Sequence, residues 1–527
     1  MSRLKNICFS AIVIILFFAL LEGITRLFVF PGSSDYIERR IIENGLKQKK
    51  TAGEFRILLY GESTMHGSHM FPHSTIDKWI KLYLADLLPK DVSNRVTATN
   101  LGRMGANSRF ISKAFIETIP YKPDLAIFYM AHNDFCIAEN RCYIPRPFMK
   151  KFYSITAEFP KHSSLLNFLN RFAIRSKIMR GRKKDVRLKD VNSWYVEGNN
   201  LPDITEAYYM YRPSPQFDRV KSVFENNVKN VIDVARRRSI PVIFFERIAR
   251  WKGYEPIRPV HDPAITKDSL SLYNKLFAEA EEEFTKKRFA EALALYDRCA
   301  GIDPLYALAY HRMAECREGL GEFGKANELY SFANDLDRFP IRAPSDVNRF
   351  YESLRAQNLN KTYIIQTQEL FESNSSNGIV GDELIGDQIH PTVDGQALMA
   401  LEIVKIIYNK DLLVPKAEWR WDRLRDVKEM KKSLNLDRDA EFEIQLGLAG
   451  YVGRHYVKAR EYLEKALAIK PDSVFVKSWL AWACWKSGEK KKAIELYRQL
   501  YRKVPSLASE NLKKYPDIEA ELAKPAQ

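Results

Sequence analysis

Short apolar runs alternate with amphipathic helical stretches in the part of the chain that follows residue 50. Five of these runs have the length and composition of buried strands, namely Phe55–Tyr60, Val96–Leu101, Leu125–Met130, Pro241–Phe245 and Tyr363–Ile365. After the first run, apolar side chains recur at helical spacing from Ile76 to Leu87 and stop before Pro89. This alternation predicts an α/β domain in which helices cover a five-stranded parallel sheet.

A second pattern, rich in Ala, Glu, Leu and Tyr, begins near Asp268. With Pro304 as the last loop position of a unit of about 34 residues, small and aromatic residues fall at the packing positions of two helical hairpins, namely Ala280, Ala292, Tyr296, Ala314, Gly321, Ala326, Tyr330 and Ala333. The same register returns near the carboxyl end, at Leu446, Gly447, Tyr456, Ala459, Ala466, Pro471, Leu480, Ala481, Gly488, Ala493, Tyr497 and Pro505.

Both segments resemble the tetratricopeptide repeat (TPR) family. The resemblance implies two-helix units that stack into a right-handed superhelix and bind peptides or partner proteins. The chain departs from the family at Arg338, where the second unit would have proline. Because each pair falls below the three repeats normally needed for independent stability, we expect the pairs to stack on each other or on the sheet domain.

The stretch from residue 7 to residue 30 is almost wholly apolar, apart from Glu22 and Arg26, and is long enough to span a membrane. A cleaved signal peptide is the alternative, but no small-x-small cleavage site follows the apolar core. We therefore expect a transmembrane anchor. Arg3 and Lys5 favour a cytoplasmic amino terminus. Basic residues between 39 and 50, on the other side of the span, weaken the prediction of this orientation. This predicts a single-pass protein of a bacterial inner membrane with its body in the periplasm.

The six cysteines leave the redox state of one loop open. A disulfide between Cys136 and Cys142 would fit an oxidising compartment, and two free thiols are the alternative. Cys8 lies in the apolar stretch 7–30. The other three, Cys299, Cys316 and Cys484, fall on helical faces and are predicted to be small core residues.

The balance of charge is strongly basic. The 527 residues include 82 Lys and Arg against 66 Asp and Glu, a net charge of +16, which favours anionic surfaces as partners. The basic stretch 145–222 contains apolar residues from Leu165 to Met179 that predict either an amphipathic helix on a membrane or a helix over the active-site cleft. No nucleic-acid motif accompanies the charge, so nucleic acid is an unlikely partner.

Four polar motifs follow predicted strands, each at the carboxyl end of a strand or in the loop beyond it. They are Gly61-Glu62-Ser63, the stretch Asn100–Ser108 with Gly105, the pair Asn133-Asp134, and Asp387 with His390. Open parallel sheets bind their ligands at this edge. Each motif alone fits an ordinary turn or helix cap, but the four together predict an active site.

In this order the motifs resemble the SGNH hydrolases, also called the GDSL esterase and lipase family. The resemblance implies a flavodoxin-like α/β/α sandwich. It also implies that Ser63 is the nucleophile, that His390 accepts its proton, and that Asp387 orients His390. Ser63, Gly105 and Asn133 match the oxyanion-hole positions, and no cofactor is implied.

The chemistry of these residue types agrees with those roles. A serine hydroxyl attacks only when a hydrogen-bonded imidazole takes its proton, and the imidazole needs a partner that fixes its tautomer. The negative charge on the carbonyl oxygen then needs fixed donors. The backbone N–H groups of Ser63 and Gly105 and the side-chain amide of Asn133 would supply them.

The chain departs from the family pattern at three places. Glu62 replaces the usual aspartate before the serine, Ala131 stands where glycine often begins the third motif, and a repeat pair interrupts the sheet domain. His66, His69 and His73 suggest a metal, but their spacing suits no open zinc motif, so no metal site is predicted.

The predicted organisation comprises an anchor at 7–30, a hydrolase domain at 51–267 and 339–412, inserted repeats at 268–338, and carboxyl-terminal repeats at 440–507. The predicted function is that of a membrane-anchored serine esterase acting on acyl esters of cell-envelope glycans or lipids. Two alternatives stay open. One is an O-acyltransferase that uses the same site, and the other is a catalytically degenerate scaffold whose repeats recruit envelope proteins.

Overall fold

The computed structural model describes residues 35–68, 70, 73–135, 212, 214–434 and 456–503. The chain divides into two compact units, Met1–Glu43 with Arg141–Ala207 and Asn44–Asn140 with Tyr208–Gln527. The first unit contains one described helix, α1 (Asp35–Glu43). All elements that follow belong to the second unit.

Five parallel strands form the central sheet of the second unit. They are β1 (Phe55–Gly61), β2 (Val96–Asn100), β3 (Leu125–Tyr129), β4 (Val242–Phe245) and β5 (Thr362–Ile365). Their order is β2-β1-β3-β4-β5, which is the flavodoxin-like order. The predicted α/β class and the five parallel strands are therefore confirmed, with each strand differing from its prediction by one residue at one end.

Helices connect the strands and cover the sheet. Up to β4 they are α2 (Ser63–His66), α3 (Ile76–Leu87), α4 (Lys90–Ser93), α5 (Ser108–Thr118), α6 (His132–Phe135) and α7 (Pro215–Arg237). Four helices then form the insertion, namely α8 (Lys267–Thr285), α9 (Phe289–Ile302), α10 (Ala307–Gly319) and α11 (Phe323–Leu336). Those that complete the α/β domain are α12 (Asp346–Ala356), α13 (Thr367–Ser373), α14 (Val393–Asn409) and α15 (Val427–Ser433).

The two faces of the sheet carry different side chains because successive residues of a strand point to opposite sides. On one face Ile57, Leu59 and Ile127 join a core with residues of α3 and α14, including the fully buried Trp79 and Ile403. On the other face an aromatic ladder crosses three strands. The rings of Tyr60 and Phe128 stack at 5.1 Å, and those of Phe128 and Phe244 stack at 5.0 Å.

The inserted helices pack against each other and against loops of the α/β domain. The predicted packing residues Ala280, Ala292, Tyr296 and Ala314 are fully buried. Tyr330 and Ala326 of α11 share a cluster with Trp251, which follows β4, and with Ile379, which precedes the His390 loop. The inserted pair therefore stacks on the sheet domain.

Three further helices lie near the carboxyl end, namely α16 (Tyr456–Ile469), α17 (Val474–Lys486) and α18 (Lys490–Lys503). Ala459, Ala466, Leu480, Ala493 and Tyr497 form a core that contains only residues of these helices. The predicted repeat positions Leu446, Gly447 and Pro505 lie outside the described residues.

The cysteines predicted to lie in helical cores, Cys299, Cys316 and Cys484, are buried and free. Cys136 and Cys142, the anchor at 7–30 and the basic helix near 165–180 lie outside the described residues. Within the described part of the chain, no helix is long and apolar enough to cross a membrane.

Candidate active site

Ser63 is delivered by a tight turn at the carboxyl end of β1. Gly61 ends the strand opposite Tyr129, and α2 begins at Ser63. A Cβ at residue 61 would lie 2.4 Å from the Cβ of Met65 and 2.6 Å from the carbonyl oxygen of Tyr129. Only glycine fits there, so the sharpness of the turn depends on Gly61.

Asp387 and His390 lie on one loop between α13 and α14. One oxygen of Asp387, Oδ1, accepts the backbone N–H groups of Ile389 and His390, both at 2.8 Å. The other oxygen, Oδ2, lies 2.6 Å from Nδ1 of His390. A carboxylate that accepts three hydrogen bonds is fixed in place, and it fixes the imidazole in turn.

Two neighbouring segments hold this loop. The backbone N–H of Arg250, in the segment after β4, donates to the carbonyl oxygen of Gln388 at 2.9 Å. The hydroxyl of Thr64, the residue after the serine, donates to the carbonyl oxygen of Ile389 at 3.3 Å. The His390 loop is therefore attached both to α2 and to the segment that leads into the insertion.

Nε2 of His390 lies 2.7 Å from Oγ of Ser63. Because the carboxylate of Asp387 faces Nδ1, the neutral ring carries its proton on Nδ1 and presents a lone pair at Nε2 to the serine hydroxyl. The three residues are buried, with exposed fractions of 8% for Ser63, 6% for His390 and 5% for Asp387. The structure thus brings the three predicted residues into one hydrogen-bonded chain.

The two remaining predicted residues lie on adjacent loops. Gly105 follows β2 with φ of +68°, in the left-handed region, and a Cβ there would meet nothing within 4 Å. Asn133 lies in the first turn of α6, and its Nδ2 donates to the carbonyl oxygen of Ala106 at 3.0 Å. That bond joins the two loops and leaves the second N–H of the Asn133 amide for another acceptor.

Glu62 connects the serine turn to the Asn133 turn. Its carboxylate accepts the backbone N–H of His132 at 3.1 Å and that of Asn133 at 2.9 Å. Burial raises the pKa of Glu62 to about 8, against the lowering effect of these two N–H groups. The departure from the family aspartate therefore has a structural role, because the glutamate caps α6 beside the candidate oxyanion hole.

Two supporting residues were missed by the sequence reasoning. Asn100, which begins the second motif, donates from Nδ2 to the carbonyl oxygen of Met65 at 2.7 Å and accepts the N–H of Gly102 at 2.9 Å. His132 is 1% exposed, and both of its ring nitrogens have partners. The polar residue Asn100 at the end of a predicted buried strand was the available signal, whereas His132 depends on a partner more than 200 residues away.

The histidines first considered for a metal are His66, His69 and His73. Among the residues that the structure describes, no group of three or more His, Cys, Asp or Glu side chains is arranged to hold a metal ion. His69 lies outside those residues.

The fold and the order of the motifs are SGNH-like. The sheet order is flavodoxin-like, and Ser63, Gly105, Asn133 and His390 follow strands β1, β2, β3 and β5 at one edge of the sheet. Those are the positions at which the family resemblance puts its four motifs.

Solved structures similar to this chain include a GDSL-like lipase from Bacteroides thetaiotaomicron, at 13% identity over 71% of this chain and 98% of that chain, with a TM-score of 0.30. A catalytic mutant of an acetylxylan esterase from Geobacillus stearothermophilus matches at 11% identity over 68% of this chain and 96% of that chain, with a TM-score of 0.30.

A thermophilic TPR protein from Thermus thermophilus matches at 17% identity over 48% of this chain and 97% of that chain, with a TM-score of 0.14. No protein-family model and no curated protein sequence matches the chain. Similarities at these TM-scores do not show a family, whereas the sheet order and the geometry of the site are direct features of this chain.

Proposed function

We propose that this protein is a membrane-anchored serine esterase that cleaves acyl esters through an acyl-enzyme. The observation that carries the proposal is the chain of two short contacts, 2.7 Å from Ser63 Oγ to His390 Nε2 and 2.6 Å from His390 Nδ1 to Asp387 Oδ2. A scaffold with a degenerate site has no need to keep a buried serine, imidazole and carboxylate in this order.

In the first half-reaction, Oγ of Ser63 attacks the carbonyl carbon of the ester, and Nε2 of His390 takes the hydroxyl proton. Asp387 stabilises the imidazolium that forms. The carbonyl oxygen becomes an oxyanion, which accepts hydrogen bonds from the N–H groups of Ser63 and Gly105 and from the free N–H of the Asn133 amide. Collapse of the tetrahedral intermediate breaks the ester bond, and His390 returns the proton to the departing alcohol.

In the second half-reaction, a hydroxyl compound attacks the acyl-enzyme while His390 takes its proton. If that compound is water, the products are a free acid and the restored serine. If it is the hydroxyl of a second molecule, the protein is an O-acyltransferase, because both reactions share the acyl-enzyme. The esterase assignment is thus a choice between two acceptors at one site.

The proposed substrates are acyl esters of cell-envelope glycans or lipids. Three features support this class, namely the anchor expected at residues 7–30, the net charge of +16, and the helical repeats that offer a surface for envelope partners. The proposed place of action is the periplasmic face of a bacterial inner membrane.

Acyl release from acetylated glycans and from longer-chain esters tests the proposal. We expect free acid from the full-length protein in detergent, and none from Ser63→Ala. Product analysis with a polyol present distinguishes the acceptors, because transfer yields an acylated polyol in place of free acid. Absence of both products from folded protein across these substrates would contradict the enzymatic proposal.

A further inference from the structure

His132 is a buried imidazole at the start of α6, directly before the candidate oxyanion residue Asn133. Its Nδ1 accepts the backbone N–H of Ala343 at 3.0 Å, so Nδ1 carries no proton. The proton of the neutral ring is therefore on Nε2, which lies 3.0 Å from Oη of Tyr129 and donates to it. Burial, together with the charge of Arg247, lowers the pKa of His132 to about 3, which keeps the ring neutral.

Tyr129, the partner of Nε2, is itself fixed. It is the last residue of β3, its side chain is fully buried, and its hydroxyl oxygen also accepts the backbone N–H of Ile248 at 3.1 Å. The His132 ring thus spans two rigid points, the end of a central strand on one side and the backbone of Ala343 on the other.

The turn at His132 and Asn133 is held from a second direction by Glu62, which accepts the backbone N–H groups of both residues. Glu62 thus holds the backbone of the turn, and the imidazole ties the same turn to Tyr129 and Ala343. The Asn133 side chain makes one described contact of its own, from Nδ2 to the carbonyl oxygen of Ala106. Its direction therefore also depends on the turn that Glu62 and His132 hold.

Ala343 belongs to the segment through which the chain leaves the inserted helices. Asn334, on α11, donates from Nδ2 to the carbonyl oxygens of Arg342 and Ala343 at 3.2 and 3.4 Å. The guanidinium of Arg342 donates to the carbonyl oxygen of Tyr254 at 3.0 Å. This segment is therefore fixed between the last inserted helix and the loop that leads into the insertion.

We infer that His132 is a positioning residue for the oxyanion hole, and that through its bond with Ala343 the inserted helical pair sets the orientation of Asn133. The inference deepens the proposed function and rests on it. It also gives the insertion a role in catalysis in addition to any partner that its helices bind.

The effect of a change at His132 on kcat and KM follows from its position behind the oxyanion hole. A misdirected Asn133 weakens hydrogen bonds that form only to the oxyanion, so kcat falls while KM stays the same. Loss of a whole oxyanion donor costs a factor of about 100 to 1,000. Because misplacement is less severe than loss, we expect His132→Phe to lower kcat by about 10- to 100-fold.

Two conservative variants separate the contacts of His132. In His132→Asn the side-chain oxygen can take the place of Nδ1 as acceptor for Ala343, and in His132→Gln the amide can take the place of Nε2 as donor to Tyr129. If the Ala343 contact orients the turn, kcat recovers in the asparagine variant and stays low in the glutamine variant.

His311 provides a matched control. It is 2% exposed, lies in α10 of the same insertion, and burial likewise lowers its pKa to about 3. His311→Phe removes an equally buried imidazole whose described contacts, with Glu315 and Tyr330, do not include the oxyanion turn. We expect kcat within about twofold of the wild type, because phenylalanine keeps the ring contact of residue 311 with Tyr330, at 5.0 Å between centroids.

The experiment measures kcat and KM on a soluble acyl ester for full-length wild type and these variants, with thermal melts to confirm folding. Ala343→Pro deletes the donor N–H without touching His132, and the residue before Pro344 already favours extended backbone. It should lower kcat as His132→Phe does.

The outcomes separate the two proposals. An inactive wild type overturns the proposed function. An active wild type with unchanged kcat in folded His132→Phe and Ala343→Pro overturns the inference alone. Recovery by glutamine and not by asparagine overturns the link to the insertion.

Discussion

The two groups of repeat-like helices share a sequence register but have different relations to the α/β domain. The inserted helices share the cluster of Tyr330, Trp251 and Ile379 with loops of that domain, and their exit segment reaches His132. The carboxyl-terminal helices bury their apolar residues among themselves. A described contact between these helices and the α/β domain is an ion pair of 2.6 Å between Lys458 and Asp382. The same repeat can therefore be a structural part of a site or a separate module.

The largest expected difference between the two groups of helices comes from replacing equivalent residues in each. Tyr330 and Tyr497 occupy the same repeat position and are 2% and 1% exposed. Replacement of either by alanine should cost about 3 kcal/mol of local stability, because a large buried side chain is lost. Only Tyr330→Ala should also lower kcat, since α11 supports the segment at Ala343. Thermal melts and ester kinetics of both variants check this, and equal kcat values would contradict it.

A smaller effect is expected from pH. Burial raises the pKa of Glu62 to about 8, whereas the pKa of a glutamate in the unfolded chain is about 4.3. The folded state therefore binds the proton more tightly. The stability from this group is present below about pH 4, is lost as pH rises to about 8, and does not change further above that value.

This loss should appear in the transition of the α/β domain and the inserted helices together, and not in that of the carboxyl-terminal helices. Melting of the wild type and of Glu62→Gln from about pH 4 to about pH 9 measures it, with the variant as the control that lacks the titration. Parallel pH profiles of wild type and variant would refute the assignment.

The smallest effect is expected from the ion pair that joins the carboxyl-terminal helices to the α/β domain. Lys458 and Asp382 are partly exposed, so Lys458→Ala should change stability by about 0.5 kcal/mol or less and leave kcat unchanged. Denaturant unfolding and ester kinetics measure both quantities. A large loss of activity would mean that these helices, too, support the site.

Much of the fold could be predicted from local pattern. The five strands are short apolar runs bounded by polar residues, and α3 has the predicted bounds, Ile76 to Leu87. Strand ends shifted by one residue because pairing with a neighbour decides them. The backbone N–H of Val242, for example, donates to the carbonyl oxygen of Lys361, a partner so distant along the chain that the local sequence does not reveal it.

The residues of the candidate site likewise fall into two sets, those that the sequence predicts and those that depend on long-range contacts. Ser63, Gly105, Asn133, Asp387 and His390 could be named in advance because their motifs follow predicted strands in the order that resembles the SGNH hydrolases. The supports could not be predicted, because they depend on long-range contacts such as that of His132 with Ala343. The role of Glu62 was undetermined for the same reason, since it acts on the turn that follows β3.

The proposed mechanism requires that Ser63 is a nucleophile activated by His390. Mass spectrometry of the folded protein after treatment with a fluorophosphonate tests it most directly, because the probe reacts only with an activated serine. We expect one adduct, on the peptide that contains Ser63, which is absent from Ser63→Ala and strongly reduced in His390→Ala. An adduct that persists in Ser63→Ala, or no adduct on correctly folded wild type, would contradict it.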